Sequence, residues 1–235
     1  MIGVIIQDQN ECIDLLKEKF KDVFSHNIIN QKFYVVKTFN EQDAIICFCG
    51  FGKVNASIAA SLMINSFNID LCLNIGTCYG INLVEELDVL IADKCSYCNV
   101  DATNLGFELN QIPELPNKFD CDTKINNQIM ELLNYGNFQY KLGIVYSCET
   151  IYDQKKISLN NFFKNSLSSC IDNNACAINQ VCYKLNKKFV CLKIVDKIIN
   201  NKIDEQNQVK AKIMIETILI NLIDSLSYFK GEKDD

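Results

Sequence analysis

The chain has 235 residues, of which 49% are hydrophobic and 22% charged, enough apolar side chain for a packed core and too much for a disordered protein. Its formal net charge of −6 argues against nucleic acid as a partner, because phosphate backbones are held by clustered Lys and Arg. No Pro-, Gly- or Ser-rich linker divides the chain, so a single domain over residues 1–235 is expected.

Residues 2–6, Ile-Gly-Val-Ile-Ile, make a short apolar run. The polar Gln7-Asp-Gln-Asn follows, and then Ile13, Leu16 and Phe20 recur at helical spacing, so a buried strand leads through a loop into an amphipathic helix. This start lacks the charged segment and cleavage site of a secretory signal, and a cytoplasmic chain with reduced thiols is expected. Similar β-rich runs recur at 33–38, 43–49, 71–75, 87–92, 141–146 and 189–195, with helical patterns at 53–66, 123–134, 174–185 and 206–229. The longest apolar stretch, Ile213 to Leu226, is interrupted by Glu216, Asn221 and Asp224 and does not match a membrane span. Alternation of strands and helices predicts an α/β fold with a mostly parallel sheet covered by helices on both faces, and a ligand site beyond the strand ends.

Thirteen cysteines are present, most of them inside apolar runs, such as Cys47 and Cys49 in Ile45-Ile-Cys-Phe-Cys and Cys191 in Phe189-Val-Cys-Leu, where they act as small hydrophobes. Cys95 and Cys98 form one C-x-x-C with no second pair, and the single histidine, His26, is distant, so no metal site or cofactor is expected. With one histidine, acid and base work falls to carboxylates unless His26, in the polar Ser25-His-Asn, is the base.

Two glycine-bearing segments follow consecutive strands. Gly50-Phe-Gly-Lys-Val lets the backbone pass close to a ligand ahead of a helix, or allows tight helix–sheet packing. Asn74-Ile-Gly-Thr-Cys-Tyr-Gly reads as a second glycine loop, placing the Thr77 hydroxyl where a ribose or an anion is met. Beyond them runs an irregular stretch, Asp101-Ala-Thr-Asn-Leu-Gly-Phe with Gln111-Ile-Pro, whose length suggests a functional loop.

In this order and spacing, the Ile2-Gly-Val-Ile-Ile strand with Glu11 behind it, Gly50-Phe-Gly-Lys-Val, Asn74-Ile-Gly-Thr, Asp101-Ala-Thr and Ser147 resemble the nucleoside phosphorylase and nucleosidase superfamily. The resemblance is strongest to bacterial 5′-methylthioadenosine/S-adenosylhomocysteine nucleosidases and covers nearly the whole chain. It implies a three-layer αβα sandwich with a mixed, mostly parallel sheet, a homodimer, and hydrolysis of the N-glycosidic bond of an adenine nucleoside. An acid then protonates the base while a second group aims water at a cation-like sugar.

On this resemblance Glu11 is the water-activating glutamate, although a first-turn glutamate is also favoured by a helix dipole. Phe51, Ile151 and Tyr152 line the base and sugar pocket, and Thr77 stands where the family has serine. The family's Met-Glu, which grips the ribose, falls on Asn173 and Asn174. Its Arg-x-x-Ser-Asp aligns without gaps to Lys193-Ile-Val-Asp-Lys, putting Lys193 in the pocket and Lys197 on the acid. With a strand one residue shorter, Asp196 becomes the acid, and Asp196 with Glu11 forms the expected catalytic pair. An alternative is a catalytically silent relative that binds a nucleoside or serves as a dimerisation partner. A phosphorylase is disfavoured, because the acidic Gln7-Asp-Gln-Asn beside Glu11 repels phosphate.

Overall fold

The computed structural model describes residues 1–8, 18–20, 23–38, 42–149, 167–199, 201–202 and 204–227. Strands β1 (Ile2–Ile6), β4 (Asp43–Phe48), β5 (Leu71–Asn82) and β10 (Lys188–Ile198) run side by side as a parallel set. The hairpin of β2 (Val23–Ile28) and β3 (Gln31–Lys37) adds to β4 and turns at Ile29 and Asn30, both with positive φ. On the other side, β6 (Val89–Tyr97), β8 (Tyr140–Ser147) and β9 (Ser168–Asp172) are parallel to one another, with β7 (Phe119–Asp120) as a short addition to β6.

β6 pairs antiparallel with β10, and β9 antiparallel with β5. Pairing therefore runs from β5 through β10, β6, β8 and β9 back to β5, closing five strands into a ring from which β1, β4, β3 and β2 extend. The sheet is mixed. Parallel pairing was expected to dominate, but half of the ten strand pairs are antiparallel. The antiparallel pairs are those of the β2–β3–β4 edge, where β2 has no apolar alternation to announce it, the short β7 on β6, and the two contacts that close the ring, β6–β10 and β9–β5. These elements are paired through their backbones, and the side-chain pattern does not record that.

Helices α1 (Lys53–Phe67) and α3 (Ala175–Lys184) cover one face, where Ala56, Ala59, Met63, Ala175 and Ile178 pack with Ile5, Cys72, Cys191 and Val195. α2 (Thr123–Tyr135) and α4 (Glu205–Ser227) cover the other, where Ile129, Leu133, Ile215 and Leu219 meet Val4, Leu73, Leu192 and Ile194. Alternate residues of β1 and β10 thus feed two separate cores, which accounts for their unbroken apolar runs. α1 sits close to the sheet because Gly3 has no side chain: a Cβ there would lie within 2.4 Å of Met63 Sδ. α2 begins at Asp122, whose carboxylate accepts from the Ile125 N–H at 2.9 Å. Among the described residues no helix is long and apolar enough to cross a membrane.

Candidate active site

β10 carries a charged residue into the interior. Lys193 is 1% exposed, in the middle of Cys191-Leu-Lys-Ile-Val, and such a buried ammonium is tolerated only with a partner. The partner is Asp172 at the end of β9, 2.9 Å from Lys193 Nζ. Burial opposes the charged lysine, but the Asp172 charge and hydrogen bond outweigh it and hold the ammonium above its ordinary pKa.

Asp172 is the hub of a wider network. Its carboxylate also accepts from the Ser147 hydroxyl at 2.5 Å, and from the N–H groups of Asn174 at 3.3 Å and Ala175 at 2.9 Å as α3 begins. A carboxylate at a helix N-terminus meets both the free N–H groups and the favourable end of the dipole. Asn174 is 1% exposed; its Oδ1 accepts from Lys193 at 3.0 Å, and its Nδ2 donates to Gln7 Oε1, just past β1, at 3.1 Å. Residues at the ends of β1, β8 and β9 and one within β10 are therefore joined in a single polar cluster. The sequence reading had Lys193, Asn174 and Ser147 here but gave no role to Asp172 or Gln7. A lysine within an apolar strand requires a buried partner, but nothing in the sequence singles out Asp172 as that partner.

Asp196 follows three residues after Lys193, at an irregularity. In the β10–β5 register, Val195 faces Cys78 and Lys197 faces Tyr79, so Asp196 is the extra residue of a β-bulge. Beyond the bulge, Ile198 packs into the same core as Val195, which three regular strand residues would not allow. Asp196 is 7% exposed, and its Oδ1 has no hydrogen-bond partner among the described residues. Burial pushes its pKa up to about 6; a backbone hydrogen bond and Lys197 pull it down, and Glu86 adds to the rise. The Lys197 Nζ lies over the Tyr79 ring, 5.4 Å from its centroid. Asn173 presents a second buried acceptor, Oδ1, with no partner among the described residues.

The glycine segments differ from expectation. Gly76 and Thr77 belong to β5, paired with Lys193 and Ile194, so the second glycine loop is a continuous strand. Pairing on both sides draws the strand past the glycine, and half-buried Thr77 lies one residue before the Cys78–Tyr79 stretch that faces the bulge. The first segment is a turn, with Gly50 and Gly52 at φ 77° and 97°. The group drawn to it comes from this chain: Glu149 Oε1 accepts from the Lys53 N–H at 2.6 Å, and a Cβ on Gly52 would lie 3.2 Å from Glu149 Oε2. Phe51, between the glycines, is 66% exposed. Glu11, Ile151 and Tyr152 lie outside the described residues.

Other candidates recede. His26 is on β2, at the far margin of the sheet, in edge contact with Phe67. Cys95 is buried in one core, whereas Cys98 packs against a separate small cluster, as a three-residue spacing along an extended chain dictates. In the 101–116 stretch, Asp101 accepts from the Thr103 N–H and hydroxyl at 3.1 and 2.7 Å and is used locally.

Helices on both faces of a mixed sheet, a closed ring of five strands and a buried polar cluster at the strand ends make up the α/β frame of the chain. The chain belongs to the phosphorylase superfamily, whose family model matches residues 1–223. It is 30% identical over 209 residues to a 5′-methylthioadenosine/S-adenosylhomocysteine nucleosidase of Staphylococcus haemolyticus, covering 87% of this chain and 89% of that protein. The corresponding protein of Staphylococcus epidermidis is 28% identical over 232 residues, covering 96% of this chain and all of the relative. A solved Campylobacter jejuni nucleosidase of the same name superposes with a TM-score of 0.85 at 21% identity, covering 95% of this chain and 98% of its own.

Proposed function

We propose that the protein hydrolyses the N-glycosidic bond of an adenine nucleoside of the methylthioadenosine or S-adenosylhomocysteine type, releasing adenine. The observation that carries this reading is Asp196: a buried carboxyl with an oxygen unpartnered among the described residues and a pKa raised to about 6, set on a bulge in a chain of this superfamily. Such a group is protonated often enough near neutrality to act as an acid. The named relatives support the same chemistry, and nothing among them favours a silent, merely binding or dimerising protein.

In this reading Asp196 gives its proton to N7 of the purine as the bond between the sugar C1′ and the base breaks. Glu11 takes a proton from water, whose oxygen bonds to C1′, so that adenine and a free thioribose leave. Phe51, Ile151 and Tyr152 flank the base and sugar, and Thr77 supports the acid's side of the pocket. Asn173 and Asn174 face the ribose hydroxyls, with Asn174 held by Lys193. No cofactor takes part. The exposed stripe Phe51, Val54 and Ile58, at helical spacing on and before α1, supports a homodimer.

The test is adenine release from methylthioadenosine in phosphate-free buffer. Glu11→Gln and Asp196→Asn should each lower the rate at least roughly tenfold, the usual minimum for losing an acid or a base. Absence of release from the unaltered protein would end this reading. Release that required added phosphate would turn it into a phosphorylase.

A further inference from the structure

The turn between β5 and β6 holds a carboxylate that the reaction so far does not use. Glu86 Oε1 accepts from the Ile198 N–H at 3.4 Å and from Asn201 Nδ2 at 3.2 Å, and its Oε2 accepts from Asn207 Nδ2 at 2.6 Å. One side chain thus ties together the last residue of β10, the turn after it and the first turns of α4. Leu87 N–H donates to Val195 O at 2.7 Å, and Val195 N–H to Asp88 O at 3.0 Å. On the opposite side, Ile199 N–H donates to Gly80 O at 2.8 Å. Ile198 fills the space above Gly80, where a Cβ would lie 2.6 Å from its Cδ1. Asp196 is the residue between these fixed points.

We infer that Glu86 is a positioning residue for Asp196, holding the chain beyond the bulge through Ile198, Asn201 and Asn207 and bringing a negative charge to the acid's side. The inference rests on Asp196 being the acid of the proposed hydrolysis. The charge acts in the required direction: Glu86 adds to the rise that burial produces in Asp196, and Lys197 opposes it. The other groups beside Asp196, Cys78 and Tyr79 of β5, both have raised pKa values from burial first, with Asp196 adding to the rise, and stay neutral near pH 7. Glu86 is therefore the anionic neighbour that favours the protonated acid.

The experiment compares E86Q and E86A with the unaltered protein by pH profiles of adenine release and by carbon NMR titration of the Asp196 carboxyl. E86Q keeps an acceptor oxygen and loses the charge, so its plateau kcat should stay within about twofold while the alkaline limb and the Asp196 titration both move to lower pH. E86A loses the clamp as well, and its kcat should fall roughly tenfold with KM within about twofold, because the ribose-facing residues are elsewhere. An E86Q protein with unchanged alkaline limb and unchanged Asp196 titration overturns the inference, even if E86A is less stable or does not fold. If the unaltered protein releases no adenine, the hydrolase reading fails by itself. The titration then still decides for Glu86: a lower Asp196 pKa in E86Q upholds the coupling, and an unmoved one removes it.

Discussion

Asp196 has a thermodynamic signature apart from catalysis. Its folded-state pKa of about 6 lies above the ordinary 3.8, so between these values the folded protein holds a proton that the unfolded chain has lost. Stability from this group is full below pH 4 and falls as pH rises toward 6, with roughly 3 kcal/mol lost in all. Asp196→Asn removes the ionisation, so thermal denaturation should show the variant gaining on the unaltered protein as pH rises through that window, while its turnover falls. A constant difference in Tm across the window would mean that Asp196 does not carry the raised pKa. Asn174 offers the converse case. Its Oδ1 already accepts from Lys193 at 3.0 Å, so Asn174→Asp keeps that contact, and Gln7 need only turn its amide to donate. In the proposed hydrolysis the added charge would face a developing sugar cation, and kcat should then rise about tenfold or more, the scale of one well-placed electrostatic partner. An unchanged or lower kcat would show that the neutral amide serves the sugar as well as a carboxylate does.

The bulge in β10 is built as much by β5 as by β10. Gly80 leaves room for Ile198, Val84 and Val195, whose atoms would lie 2.6 to 2.8 Å from a Cβ there. Gly80→Ala forces these side chains apart, costs about 1–3 kcal/mol as overpacking does, and should lower kcat more than it raises KM by moving the chain on either side of Asp196. Denaturant titration and steady-state kinetics on the one variant separate these effects. This element also shows what sequence conceals. The apolar runs of β1, β4, β8 and β10 and all four described helices were legible, because burial on one or two faces leaves a period in the residues. β5 was read as stopping at residue 75, since Gly76 looked like a loop, but it continues to Asn82 between β10 and β9. Asp196 and Lys197 both stay open as the acid in the sequence, because the two readings differ by a one-residue irregularity. A bulge leaves no mark in periodicity unless the core contacts of Val195 and Ile198 are known together.

For the whole molecule, the same layout that gathers Gln7, Ser147, Asp172, Asn174 and Lys193 leaves Phe51, Val54 and Ile58 exposed on one side. If a second copy covers that stripe, Val54→Lys or Ile58→Lys should shift sedimentation from dimer to monomer and weaken substrate binding through Phe51, without disturbing the buried cluster. A monomeric unaltered protein at micromolar concentration would leave the stripe without that role. The family was legible from strand-end motifs across the chain. The buried Lys193–Asp172 pair was not, since its two halves lie on different strands and only the fold brings them together.

Closure of five strands into a ring has a further consequence for how this protein fails. Strands inside a ring have both neighbours and offer no template for another chain, so lateral growth by β-pairing has its long entry at β2 among the described residues. That strand has Ser25, His26 and Asn27 exposed along it, with Phe24 as its one large exposed apolar side chain. The margin most open to aggregation is thus polar over most of its length, and it lies across the sheet from the Lys193 cluster.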